Sequence, residues 1–159
     1  MKKKYILYFL IFVINLSFGQ QNISVAKKTI DSLKYNSKRY HGVSINKYSI
    51  KDINKNGISE IIEKVNETEQ DAVGFLNNEI YPAFEFHKIY KFENGKFTES
   101  YIGFESYLTE RKKHYVRWKN LIENPESLNS DSRGLIAANK VDFLKEIDRL
   151  IKLIDGKMK

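Results

Sequence analysis

The stretch Asp52-Ile53-Asn54-Lys55-Asn56-Gly57-Ile58-Ser59-Glu60-Ile61-Ile62-Glu63 constrains the fold more than any other part of the chain. It puts side-chain oxygens at its first, third and fifth positions, glycine at the sixth, and carboxylates at the ninth and twelfth. That spacing suits a loop curled around a hard cation such as Ca²⁺. Asp52, Asn54 and Asn56 alternate with residues that point away, so their oxygens converge. Gly57 permits a sharp turn, with positive φ expected. The Ile58 carbonyl supplies a main-chain ligand. Glu60 binds directly or through water, and Glu63 reaches the ion only if its segment is helical. A second reading fits the same residues: a tight turn without metal, in which Asp and Asn cap backbone amides. If a cation binds, two carboxylates give a weak site of the extracellular class, and Lys55 and the neutral Asn56 weaken it further.

The segments on either side decide what such a bend joins. Val43 and Ile45 alternate, then Tyr48 and Ile50 take up the other phase, so a strand with a bulge or turn near Asn46-Lys47 leads in. An EF-hand needs a helix there. After Gly57, the residues Ile58, Ile61, Ile62 and Val65 have helical spacing, but a short apolar segment is not assigned by period alone. The extended lead-in favours strand-loop-strand, and a strand is expected over Glu60 to Asn66.

With that setting, Tyr48 to Ile62 resembles the calcium loop of integrin-type FG-GAP (VCBS-like) units. In that family a strand runs into an Asp-rich loop, then Gly, then an acid, then a second strand. Tyr90-Lys91-Phe92-Glu93-Asn94-Gly95-Lys96-Phe97 is similar to the hairpin that often follows in single-unit secreted bacterial proteins of this kind. The resemblance implies Asp52, Asn54, Asn56 and Glu60 as ligands, with Ile58 through its carbonyl. It implies a sheet-forming module and nothing about a substrate. The chain departs from the pattern in having one unit, Asn56 where Asp is common, a long insert from Glu67 to Pro82, and a helical C-terminal third.

The first nineteen residues read as an export signal. Lys2, Lys3 and Lys4 precede an almost unbroken apolar run from Tyr5 to Leu16, and Ser17-Phe18-Gly19 sets small residues before a cut ahead of Gln20. A membrane anchor is the competing reading, but a span needs about 20 apolar residues. The expected organisation is a signal peptide at 1–19 and a single α+β domain at 20–159. Export, to periplasm or medium, would leave 140 residues, and losing three lysines takes the net charge from +7 to +4. That balance does not argue for nucleic acid. The chain has no cysteine, which excludes thiolate catalysis, thiolate metal sites and disulfides. Its enrichment in Ile, Lys and Asn is compatible with an AT-rich bacterial genome.

The remaining elements are read from periodicity. Residues 24–35 form a first helix, with Ser24 as N-cap and Ala26, Ile30 and Leu33 inward. Glu67 to Pro82 is a polar connection with room for a short helix or lid. Phe84 to Tyr101 is a hairpin turning at Asn94-Gly95, which pairs Phe92 with Phe97 and Glu93 with Lys96. Phe84, Phe86, Tyr90 and Phe92 alternate on one face. Phe104 to Ile122 is a helix whose apolar stripe Arg111 interrupts. Asn124-Pro125-Glu126 starts another helical segment. Val141, Leu144, Ile147, Ile151 and Ile154 form the buried stripe of a last helix, which Gly156 ends. The fold class expected is therefore α+β: an antiparallel sheet of about four strands, with an N-terminal helix and two C-terminal helices packed on it.

Other chemistry is sparse. His41, His87 and His114 have no metal-ligand spacing, and no nucleophile elbow or phosphate loop is present. Arg111 to Lys119 is the most basic stretch. It reads as a solvated helix face with Trp118 in the core, or as a contact with anionic lipid headgroups. The leading functional expectation is a non-enzymatic exported binding or structural module whose partner is an unknown protein or envelope component. The alternatives are an envelope inhibitor or immunity-type protein acting through Glu67 to Pro82, and a small secreted hydrolase.

Overall fold

A computed structural model describes residues 22–41, 43–71 and 74–158. The proposed export signal at 1–19 lies outside the described residues. The fold is α+β: a four-stranded antiparallel sheet with its strands in chain order, a separate two-stranded ribbon, an N-terminal helix and two long C-terminal helices. Helix α1 covers 22–36. It is already helical before Ser24, so Ser24 is not the cap. The ribbon pairs β1 (Arg39–Tyr40) with β2 (Val43–Ser44). The phase change at Asn46 is a real break, because the strand stops at Ser44 and resumes as β3 (Lys47–Lys51).

Strand β4 (Glu60–Val65) follows the bend. It pairs with β3 on one side, Lys51 opposite Glu60 and Tyr48 opposite Glu63. On the other side it pairs with β5 (Phe86–Glu93), Ile61 opposite Tyr90 and Val65 opposite Phe86. The Asn94-Gly95 turn has positive φ at both residues, 52° and 77°. It sets the expected register against β6 (Lys96–Glu99): Phe92 faces Phe97, and Glu93 faces Lys96. The two phenyl centroids are 5.0 Å apart.

The pleat sends neighbouring side chains to opposite faces. Tyr90 joins Ile61, Phe97, Tyr48 and Ile50 under Ala26 and Ile30 of α1. Ile89 joins the larger core beneath α3 (Glu105–Glu123) and α4 (Ser130–Lys157). Phe86 also belongs to the larger core, and Phe84 sits in a 3-10 turn at Tyr81–Phe84. The expected single aromatic face of Phe84, Phe86, Tyr90 and Phe92 is thus divided between two cores. The connection before it holds a short helix, α2 (Glu67–Asp71), and is tied down. The Glu69 carboxylate accepts from the Gly74 and Leu76 amides, while Leu76 and Ile80 are buried.

In α3, Leu108, Tyr115, Trp118 and Ile122 are buried as the stripe predicts. Arg111 interrupts that stripe because its guanidinium donates to the Glu85 carbonyl at 2.7 Å. Pro125 opens only a 3-10 turn at Pro125–Ser127. Helix α4 starts later, where the Asn129 side chain accepts from the Ser132 amide at 2.8 Å. Its buried stripe is Ile136, Phe143, Ile147, Leu150 and Ile154, whereas Val141 is 79% exposed. Phe143 brings more apolar surface than Val141 and takes the central place, 4.9 Å from the Phe84 ring. Gly156 lies inside the last turn rather than beyond it.

Candidate metal centre

Strand β3 ends at Lys51 and β4 begins at Glu60, so the bend is residues 52–59. Two backbone positions make it tight: Lys55 at φ 60° and Gly57 at φ 84°. The second is a conformation in which any Cβ is strained, which explains the glycine. The side chains then turn inward on the amides of the same bend. Asp52 Oδ1 accepts from the Asn56 amide at 3.1 Å, and Oδ2 from the Gly57 amide at 2.8 Å. Asn54 Oδ1 accepts from that same Asn56 amide at 3.2 Å. Asn56 Oδ1 accepts from the Ile58 amide at 2.8 Å.

From the far side of the bend, Glu60 reaches back and accepts from the Ile53 amide at 2.9 Å through Oε2. Glu60 is 1% exposed. Burial raises its carboxyl above the ordinary value; the Ile53 amide pulls it back, and the Asp52 carboxylate pushes it up again. Asn54, Asn56 and Ile58 are exposed. The bend therefore brings Asp52 and Asn54 together on the Asn56 amide, leaves the Asn56 side chain on the Ile58 amide, and sets the Glu60 carboxylate within electrostatic reach of Asp52.

The side-chain oxygens of the bend are hard donors, the kind that a hard cation takes. Each oxygen engaged by one amide keeps a second lone pair. A divalent ion would relieve the repulsion between two carboxylates, one of them buried. Among the described residues no three His, Asp or Glu side chains form a metal group, so amide and main-chain oxygens would supply most of the ligands here. Glu63 is not one of them. Because its segment is a strand, Glu63 points to the α1 face, opposite Glu60. Asn46 Nδ2 and Tyr48 Oη donate to its Oε1 at 2.8 and 2.9 Å, and Tyr90 Oη donates to Oε2 at 2.6 Å. Burial and this carboxylate together raise the Tyr90 phenol well above its ordinary range.

A second buried polar group escapes sequence reasoning. Glu85 is 6% exposed and lies 3.4 Å from Lys64, 3.9 Å from Lys47 and 3.9 Å from His87 Nε2. His87 Nδ1 shares a 2.7 Å hydrogen bond with Tyr107 Oη, and its Nε2 has no hydrogen-bond partner among the described residues. Arg111 and Tyr115 both donate to the Glu85 carbonyl. Burial pushes the Glu85 carboxyl up, but His87 and Lys64 outweigh it and leave the group below its usual range. Burial pushes His87 down to about 4. The only local signal for this pair is Glu-x-His leading into a strand; its partners come from α3, β3 and β4.

His41 is exposed at φ 48°, and His114 Nε2 lies 2.9 Å from the Pro82 carbonyl. Along the basic stretch of α3, Lys112 pairs with Asp155, Lys113 with Glu110 and Lys119 with Asp148, while Trp118 is buried. Among the described residues no helix is long and apolar enough to cross a membrane. No family model, curated protein or solved structure matches this chain.

Proposed function

We propose that the chain is an exported, non-enzymatic binding or structural module, similar to a single FG-GAP-like unit, whose Asp52–Glu60 bend takes one Ca²⁺ weakly. The ion would be held by the side chains of Asp52, Asn54, Asn56 and Glu60 and by the Ile58 carbonyl. Its role is mechanical: it stiffens the bend and fixes β3 against β4.

The observation that carries this reading is the Glu60 carboxylate, 1% exposed and facing a second carboxylate across a bend of inward-turned oxygens. The Lys91 ammonium is the weakest of the influences on Glu60, so burial is only slightly offset from within, and an external cation would supply the missing counter-charge.

Thermal unfolding tests the metal. With a dissociation constant near 1 mM, about 10 mM Ca²⁺ stabilises by about 1.4 kcal/mol, which raises Tm by about 4 °C over chelator. An unchanged Tm removes the metal from the proposal. Intact mass of the protein recovered from the periplasm or medium tests export: it should begin at Gln20.

A further inference from the structure

Among the described residues, strand β3 is an edge of the sheet, paired with β4 alone. A groove of about 630 Å³ runs between α1 and this edge. Its floor carries Tyr48 and Ile50, which pack against α1, and Lys27 and Lys34 of α1 stand along its wall. On the other face of the strand the pleat places Lys47, Ser49 and Lys51. Among the described residues Lys27, Lys34 and Lys51 form no ion pair. Lysines therefore flank the edge on both faces: Lys27 and Lys34 with one acid, Asp31, in the groove, and on the other face Lys51 beside Lys47, which lies 3.9 Å from Glu85. The other edge, β6, is shorter and carries Lys96 and Glu99, a balanced pair of charges.

We propose that this edge binds an extended acidic segment of a partner protein by strand addition. The inference rests on the reading of the chain as a binding module, but not on its metal. An added strand would meet the outward amides and carbonyls of β3, place alternate apolar side chains over Tyr48 and Ile50, and set acids against lysines on both faces. Lysine on an edge strand repels a second copy of itself, so the occupant is an acidic chain and not another protomer. A lipid surface has no use for the edge amides.

Fluorescence anisotropy with a labelled peptide of alternating Glu and Val tests this. The acidic peptide should bind at least about tenfold more tightly than its Lys-Val counterpart or an acidic peptide interrupted by proline. Raising salt from about 50 to about 500 mM should weaken it about tenfold or more. The double variant Lys27→Glu/Lys34→Glu, on exposed helix positions, should keep its Tm and reverse the preference between the two peptides. Equal binding of the proline-interrupted peptide, an unchanged preference in the double variant, self-association, or capture only by anionic vesicles would each overturn the proposal. Every titration is run in Ca²⁺ and in chelator. Peptide binding in both, with no ion effect on Tm, would sink the metal and keep the edge; an ion effect without peptide binding would do the reverse.

Discussion

Glu60 and Glu85 are both buried carboxylates, placed at opposite ends of the central strands, and their surroundings differ in kind. Glu85 has Lys64, Lys47 and His87 within 3.9 Å, and its carboxyl titrates below the usual range. Glu60 has amides for company, Asp52 as the stronger neighbouring charge and Lys91 as a weaker one, and its carboxyl titrates above that range. The fold neutralises the first carboxylate from within. On the proposed reading, a cation from outside would complete the neutralisation of the second.

The two ends should respond to acid with opposite signs. His87, held near 4 when folded against an ordinary 6.5, leaves the unfolded chain to take the proton first. Stability is then lost as pH falls from about 6.5 to about 4, by roughly 3 kcal/mol, and Glu85 adds to the loss below the carboxylate range. Glu60 works the other way: its raised folded value favours the folded state at low pH, and that contribution is lost as pH rises through it. Urea unfolding across this window should show a net loss in acid, and a Ca²⁺ effect that appears only as pH rises through the carboxylate range.

Substitutions sharpen the same contrast. Glu85→Gln should cost about 2 kcal/mol in urea unfolding, since it removes the counter-charge of Lys64 and leaves His87 facing an amide. Gly57→Ala should cost about 1 kcal/mol, because φ is +84° although no atom lies within 4 Å of the added Cβ. Glu60→Gln should have the smallest effect of the three. Its oxygen still accepts from Ile53, so metal-free stability should hold level or rise, and the Ca²⁺ shift in Tm should vanish. A loss in Glu60→Gln as large as in Glu85→Gln would erase the distinction.

Local features were legible in the sequence, and distant ones were not. Asn94-Gly95 sets a register through two backbone angles, so Phe92 opposite Phe97 follows from adjacent residues. The bend is similar: Asp52, Asn54 and Asn56 bond amides no more than five residues away. Glu63 depended on a choice between helix and strand that its own spacing leaves open, and the strand turns it to Tyr48 and Tyr90. In α4 the backbone departs from helical angles at Asn139, and the buried stripe runs through Phe143 rather than Val141. Periodicity gave the helix but not which of two adjacent stripes faces Phe84. Glu85 and His87 gain their character from Lys64, Tyr107 and Arg111, which no local pattern connects to them.

The most direct measurement is a Ca²⁺ titration followed through backbone amide resonances. The amides of Ile53, Asn56, Gly57 and Ile58 donate to the oxygens that would turn to the ion, so these four should shift together and saturate in the millimolar range. The amides of Glu85 and His87 should stay where they are. Silence at the bend up to about 10 mM Ca²⁺, or shifts confined to other parts of the chain, would contradict the account.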